Sequence, residues 1–312
     1  MENIKRIDEI DFIKGVLILL MVLFHLTYFT HKHENLTTWV YCFHMSSFLL
    51  LSGYLQKKAN IVKTIRKILI PYIIVESIYI IGLSALGSIL GSNNKVSLTF
   101  FSFWNHLLIS PIGTYWYLHT LFLCIIVNYF ISLLKIHDSI KLFISGIILF
   151  ILTFYVDGLK WENIIYFLMG SFIQRLKFRI NEFIVPSLWS IIPIILISLF
   201  SDNLQRGNLS GIGLTFFMIS FLWNISTYIP KSSKKILCFC GRNSFCIVLF
   251  SPIFTILTKQ YISLFKFDST HILWAIISLI IVSVLCLFTA WICDTLKISQ
   301  YIAGGKIYSQ YE

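Results

Sequence analysis

Charge is scarce in this chain of 312 residues. Only 12% of its residues are Asp, Glu, Lys or Arg, while 57% are hydrophobic. The acidic sign is the scarcer: 14 Asp and Glu stand against 25 Lys and Arg. No hydrophilic stretch is long enough for a soluble domain, and a soluble protein of this length does not carry so little charge. Alternation of apolar and polar residues is also missing. The apolar runs are continuous, which excludes a transmembrane β-barrel. The first run has polar groups inside it and lacks a small-residue cleavage site, so it is not a cleavable signal peptide. There is no internal repeat of the kind that builds a transporter from inverted halves. The seven cysteines lie mostly inside apolar runs and read as small packing residues. Cys238 and Cys240 have no matching second pair, so no metal site is expected.

What is present is a series of apolar runs. Ten spans are expected, at about 10–30, 37–56, 67–90, 115–134, 139–156, 161–175, 182–200, 209–229, 236–258 and 271–296. Lys and Arg accumulate in alternate connections, seventeen on one side and six on the other, Arg206 among the six. That bias puts both termini in the cytosol, as an even number of spans requires. The expected fold class is therefore all-α: a polytopic integral membrane protein of about ten transmembrane helices, with residues 1–312 forming one domain. The net charge of +11 follows the topology, so the partner it implies is a lipid bilayer and not a nucleic acid. The aromatic stretch 97–111 is too short to span and is expected on the outer interface.

Ionisable residues inside such spans are expensive and default to functional hypotheses. Lys14 and His25 sit on the first span, eleven residues apart. On a continuous helix that is nearly three turns, which places both on one face, separated by about 16 Å. Lys14 then lies near the cytosol and His25 in the outer leaflet. His44, on the second span, falls at a similar depth and faces His25 if the two helices pack as a hairpin. Trp116 and His119 share a side of the fourth span, beside Tyr115. Glu76 is near the middle of the third span, where a carboxylate costs about 2.5–3.5 kcal/mol unless it is paired or protonated. Plainer roles stand beside these. Trp116 and Tyr115 are also suited to an interfacial belt, and Asp11 to an ion pair with Lys14. The basic stretch 57–67 serves either topology or an anionic phosphate.

The residues also carry a resemblance. Ile10-Asp11, Lys14-Gly15 and His25 together resemble the first-helix signature of the membrane acyltransferase-3 family, and the polysaccharide O-acetylase, fucose 4-O-acetylase-like branch in particular. Phe43-His44-Met45 followed by Phe48 and Ser52-Gly53-Tyr54 resembles its second helix. A basic stretch leading to Pro71-Tyr72, the Tyr115-Trp116-Tyr117-Leu118 element and Gly241-Arg242-Asn243-Ser244 are similar to later family elements. Two departures stand out. Lys14 occupies a position where Arg is common, and Ser251 occupies one where many members have His.

The resemblance implies transfer of an acetyl group from acetyl-CoA to a sugar hydroxyl in a bacterial plasma membrane. His25 would be the general base, and His44 its partner or a hold on the acceptor. Lys14 would anchor CoA, with Ser52, Tyr54 and Arg66 along the cofactor path. Trp116, Tyr115, His119 and Glu76 would meet the carbohydrate acceptor. Direct transfer and an acyl-enzyme route both stay open. The rival class is a transporter or flippase for a lipid-linked sugar.

Overall fold

The computed structural model describes residues 7–56, 61–86 and 98–310. Lys5, Arg6, Lys57, Lys58, Lys95 and Ser97, which entered the reading of topology, of the basic stretch and of the aromatic stretch, lie outside the described residues. Every regular element among the described residues is helical.

The chain opens with α1 (Asp8–Leu23), whose first turn carries Asp8, Glu9 and Asp11 against the positive end of the helix dipole. A short α2 (Thr27–Lys32) leads into α3 (Glu34–Leu55). Then come α4 (Ile61–Thr64), a π-helical turn at Ile65–Leu69, and α5 (Ile70–Leu86). The aromatic stretch forms α6 (Phe100–Leu108), with Phe100 and Phe101 largely exposed. Next are α7 (Tyr115–Ser132), α8 (Asp138–Leu152) and α9 (Trp161–Arg175). The expected seventh span is interrupted. It consists of α10 (Ile180–Phe183), a link through Pro186, a 3-10 turn and α11 (Ile191–Ser198). Proline lacks the amide a helix needs and pushes the preceding residue to extended backbone. The chain closes with α12 (Leu209–Ile225), α13 (Lys231–Arg242), α14 (Ser244–Leu257), α15 (Ile272–Thr295) and α16 (Ile298–Ile302).

Each of the ten expected stretches contains helix. Among the described residues, four helical stretches are long and apolar enough to cross a membrane: Ile61–Ala85, Tyr115–Ser132, Ser244–Phe265 and Ile272–Thr295. The ninth expected span, 236–258, is divided between α13 and α14. Asn243 breaks it, its side-chain amide bonding Phe239 O and the main chain of Ser309. A side chain that satisfies backbone groups offers the chain an alternative to the helix.

The centre is built on α1 and α3. Two pairs of glycines let them meet their neighbours backbone to backbone. A Cβ on Gly15 would lie 1.9 Å from Leu237 O, and one on Gly241 would lie 1.8 Å from Asp11 O. The α3–α9 crossing repeats the device: a Cβ on Gly53 would meet Phe167 O at 2.1 Å and one on Gly170 would meet Leu50 O at 1.9 Å. Small residues allow such close approach where lipid gives helices no hydrophobic drive to associate. Three of these glycines, Gly15, Gly53 and Gly241, belong to the sequence signatures, and packing accounts for them.

Candidate active site

The first span does not continue as one helix through His25. It ends at Leu23, and Phe24–Leu26 form a turn before α2. His25 Nδ1 lies 2.7 Å from Met21 O, the acceptor its own amide would use in a continued helix. That amide turns instead to Val22 O at 3.1 Å, and Leu26 N to Leu23 O at 3.2 Å. Lys14 and His25 therefore do not share one helix face. Lys14 remains on α1 while the His25 ring is aimed by the turn.

The bond to Met21 has a chemical consequence. A carbonyl oxygen only accepts, so Nδ1 is the donor, and in the neutral ring Nε2 keeps the lone pair. His44 repeats the arrangement on α3, with Nδ1 at 2.7 Å from Val40 O. Its Nε2 is buried and has no hydrogen-bond partner among the described residues. Tyr41 packs against both imidazoles. Its ring centroid is 5.8 Å from that of His25 and 5.4 Å from that of His44, stacked on the latter. The Tyr41 hydroxyl donates to Phe24 O at 2.6 Å, which fixes the ring against the turn.

His25 borders a tight crevice, too narrow in this structure to hold a water molecule, which it lines with Met21, Met45, Thr114, Trp116 and Val248. The Thr114 hydroxyl is buried and also lacks a partner among the described residues. Buried polar atoms are normally hydrogen-bonded, so an orphan beside a crevice marks a place for a polar ligand.

Over Trp116 lies Arg206, with its guanidinium carbon 5.5 Å from the ring centroid. Arg206 Nε donates to Tyr41 O at 2.7 Å and Nη1 to Asn163 Oδ1 at 3.3 Å. Tyr166 donates in return to Arg206 O at 2.6 Å. Burial lowers the pKa of the guanidinium, and the charge of Glu162 is the largest influence opposing it. Sequence reasoning counted Arg206 as one more loop charge. Nothing local distinguishes it, because its partners come from α3, α7 and α9.

The other expected site residues fall elsewhere. Tyr115 is fully buried and donates to Leu249 O at 3.1 Å, beside the crevice and not open to it. His119 ties α7 to α6 through Leu108 O at 3.0 Å. Glu76 is fully buried and accepts from Ile112 N at 3.0 Å, which holds the link carrying Thr114. Ser52 bonds the Tyr117 hydroxyl at 3.0 Å, and Tyr54 accepts from Ile180 N at 3.2 Å. Arg66 is exposed on the π-helical turn, with its stem against Gly304. Lys14 is half-buried and, like Asp11, is engaged in an interaction. The structure thus brings His25, His44 and Trp116 together through Tyr41 and Arg206. It leaves Ser52, Tyr54 and Arg66 outside the crevice.

A family model described as an acyltransferase domain, that of the acyltransferase-3 family, matches residues 7–292. The chain belongs to this family. Comparison with curated proteins and with solved structures finds no match. The matched range contains every residue of the crevice, and membership with the apolar helices makes this a membrane acyltransferase. Such an enzyme needs a base for the attacking group, and in this acyltransferase the crevice holds an imidazole whose Nε2 is left as the acceptor.

Proposed function

We propose that this acyltransferase moves an acetyl group from acetyl-CoA to a hydroxyl of a surface polysaccharide or of its lipid-linked sugar precursor. The observation that carries the proposal is the His25 Nδ1 contact with Met21 O, which leaves Nε2 as a base on the crevice. A sugar hydroxyl is a weak nucleophile, and its proton must leave as the oxygen attacks. His25 Nε2 takes that proton while the oxygen bonds the thioester carbonyl carbon. The C–S bond then breaks, and the imidazolium returns the proton to the departing CoA sulfur.

The remaining groups take supporting parts. Tyr41 holds the imidazole of His25 in place, and His44 packs on Tyr41 as the second imidazole. Trp116 gives the sugar a flat wall, and Thr114 a hydroxyl to bond. Lys14, at the other side of α1, holds a phosphate or carbonyl of CoA as a point charge, lacking the bidentate fork of Arg. Arg66, exposed on the π-helical turn, attracts the same anionic cofactor in this reading.

Mass spectrometry of surface glycans from cells with and without this gene tests the proposal. Loss of a modification with the mass of one acetyl group on gene deletion, restored by the wild-type gene and not by His25→Ala, is the expected result. An unchanged glycan mass with altered glycan location would sink acyl transfer in favour of transport.

A further inference from the structure

Arg206 has more capacity for binding than the protein uses. A guanidinium carries five N–H donors in a planar fork. Two of them meet Tyr41 O and Asn163 Oδ1, and both acceptors are neutral. The other three have no hydrogen-bond partner among the described residues. No carboxylate forms a salt bridge with Arg206 among these residues either; the charge of Glu162 reaches it only from beyond pairing distance. A half-buried cation with only neutral partners is under-compensated, and an arriving anion gains from both charge and hydrogen bonds.

Its position is equally specific. Trp116 is a wall shared by the two groups: Arg206 lies over its ring, and His25 lines the same crevice. The main-chain oxygen held by Arg206 belongs to Tyr41, the residue packed against both histidines. Arg206 lies over Trp116 and outside the crevice lining, so a sugar that widens the crevice to reach His25 meets the fork across that ring.

We propose that Arg206 selects the acceptor: its free N–H groups bind an oxyanion, a carboxylate or phosphate oxygen, on the sugar whose hydroxyl is acylated at His25. The inference rests on the acyl-transfer reading of this crevice and adds to it the class of acceptor, an anionic sugar. Arg206 is then a specificity residue and takes no part in the bond changes.

The test uses the full chain in lipid nanodiscs with acetyl-CoA and three probe acceptors: a glucose disaccharide, its glucuronate counterpart, and its terminal phosphate. The wild type is expected to favour one anionic probe over the neutral one by at least about tenfold in kcat/KM, mainly through KM. Arg206→Gln is expected to bring that ratio close to one, and Arg206→Lys, a point charge without the fork, to restore part of it. Which anionic probe is favoured separates a uronate from a phosphate source. A wild type that takes the neutral probe as well as the anionic ones overturns the proposal. So does an Arg206→Gln variant that loses rate on all probes with its preference intact, since Arg206 then only braces Trp116 and Tyr41. His25→Ala runs in parallel. Transfer that persists there defeats the assignment of the base, whatever Arg206 does.

Discussion

His25 Nδ1 meets the carbonyl oxygen of Met21 at 2.7 Å, at the turn where the first helix ends, and this contact leaves Nε2 as the acceptor of the neutral ring. The imidazole takes the place of its own amide on Met21 O. His25, in that turn, lines the crevice.

Removing the base should therefore cost turnover more than folding. His25→Ala is expected to lower kcat by about 10²–10⁴-fold. Retained acetyl transfer in nanodiscs, at a protein level and Tm matching wild type, would remove His25 from its role.

Tyr41→Phe deletes the hydroxyl bond to Phe24 O and keeps the ring against both histidines. A hydrogen bond of this kind is worth about 1 kcal/mol, so a drop of about fivefold in kcat is expected. The KM for acetyl-CoA should not move. A change confined to that KM would place Tyr41 on the cofactor path instead.

Lys14→Ala should raise the KM for acetyl-CoA, while Lys14→Arg, which keeps the charge, should raise it less. Steady-state kinetics over a range of acetyl-CoA concentrations decides this. Wild-type KM in Lys14→Ala would end the anchoring role and leave Lys14 to its contacts within the protein.

The two glycines at the α1–α13 crossing should be intolerant of a methyl group. Gly241→Ala places Cβ 1.8 Å from Asp11 O, so the backbones must separate, at a cost of about 1–3 kcal/mol or more. Gly82→Ala is the control. Its Cβ meets nothing within 4 Å, and alanine favours the helix by up to about 1 kcal/mol. Thermal unfolding in detergent should show opposite shifts for the two variants, and a Gly241→Ala protein as stable as wild type would contradict the crossing.

Glu76→Gln preserves an oxygen for Ile112 N–H, whereas Glu76→Ala leaves that amide unpaired. A loss of about 1–3 kcal/mol is expected for Ala and much less for Gln. Hydrogen exchange over residues 109–114 is the direct readout. Equal protection in both variants would mean that the carboxyl does not hold this link.

Much of the site was legible in sequence because ionisable groups stand out against apolar runs. His25, His44 and Trp116 were picked out that way; His25 and Trp116 line one crevice, and His44 lies outside that lining, against Tyr41. Tyr41, Thr114 and Arg206 were not. A tyrosine and a threonine near a span end are unexceptional, and an arginine between spans reads as topology. Tyr115, Ser52 and Tyr54 carried motif positions, yet their hydroxyls are engaged within the protein. The expectation of one face for Lys14 and His25 failed because it assumed an unbroken helix. A turn inside an apolar run leaves no mark in hydropathy.

Sequence by itself determined the helical membrane class and the family signatures, since both rest on composition and on short spacings that need no tertiary contact. Only the tertiary structure decided which polar groups meet. Arg206 reaches the main chain of Tyr41 across 165 residues, and Trp116 takes its place beneath that guanidinium from a third helix. Such contacts depend on how closely the helices approach. That distance is set by glycines whose function becomes visible only when the neighbouring backbone is in place.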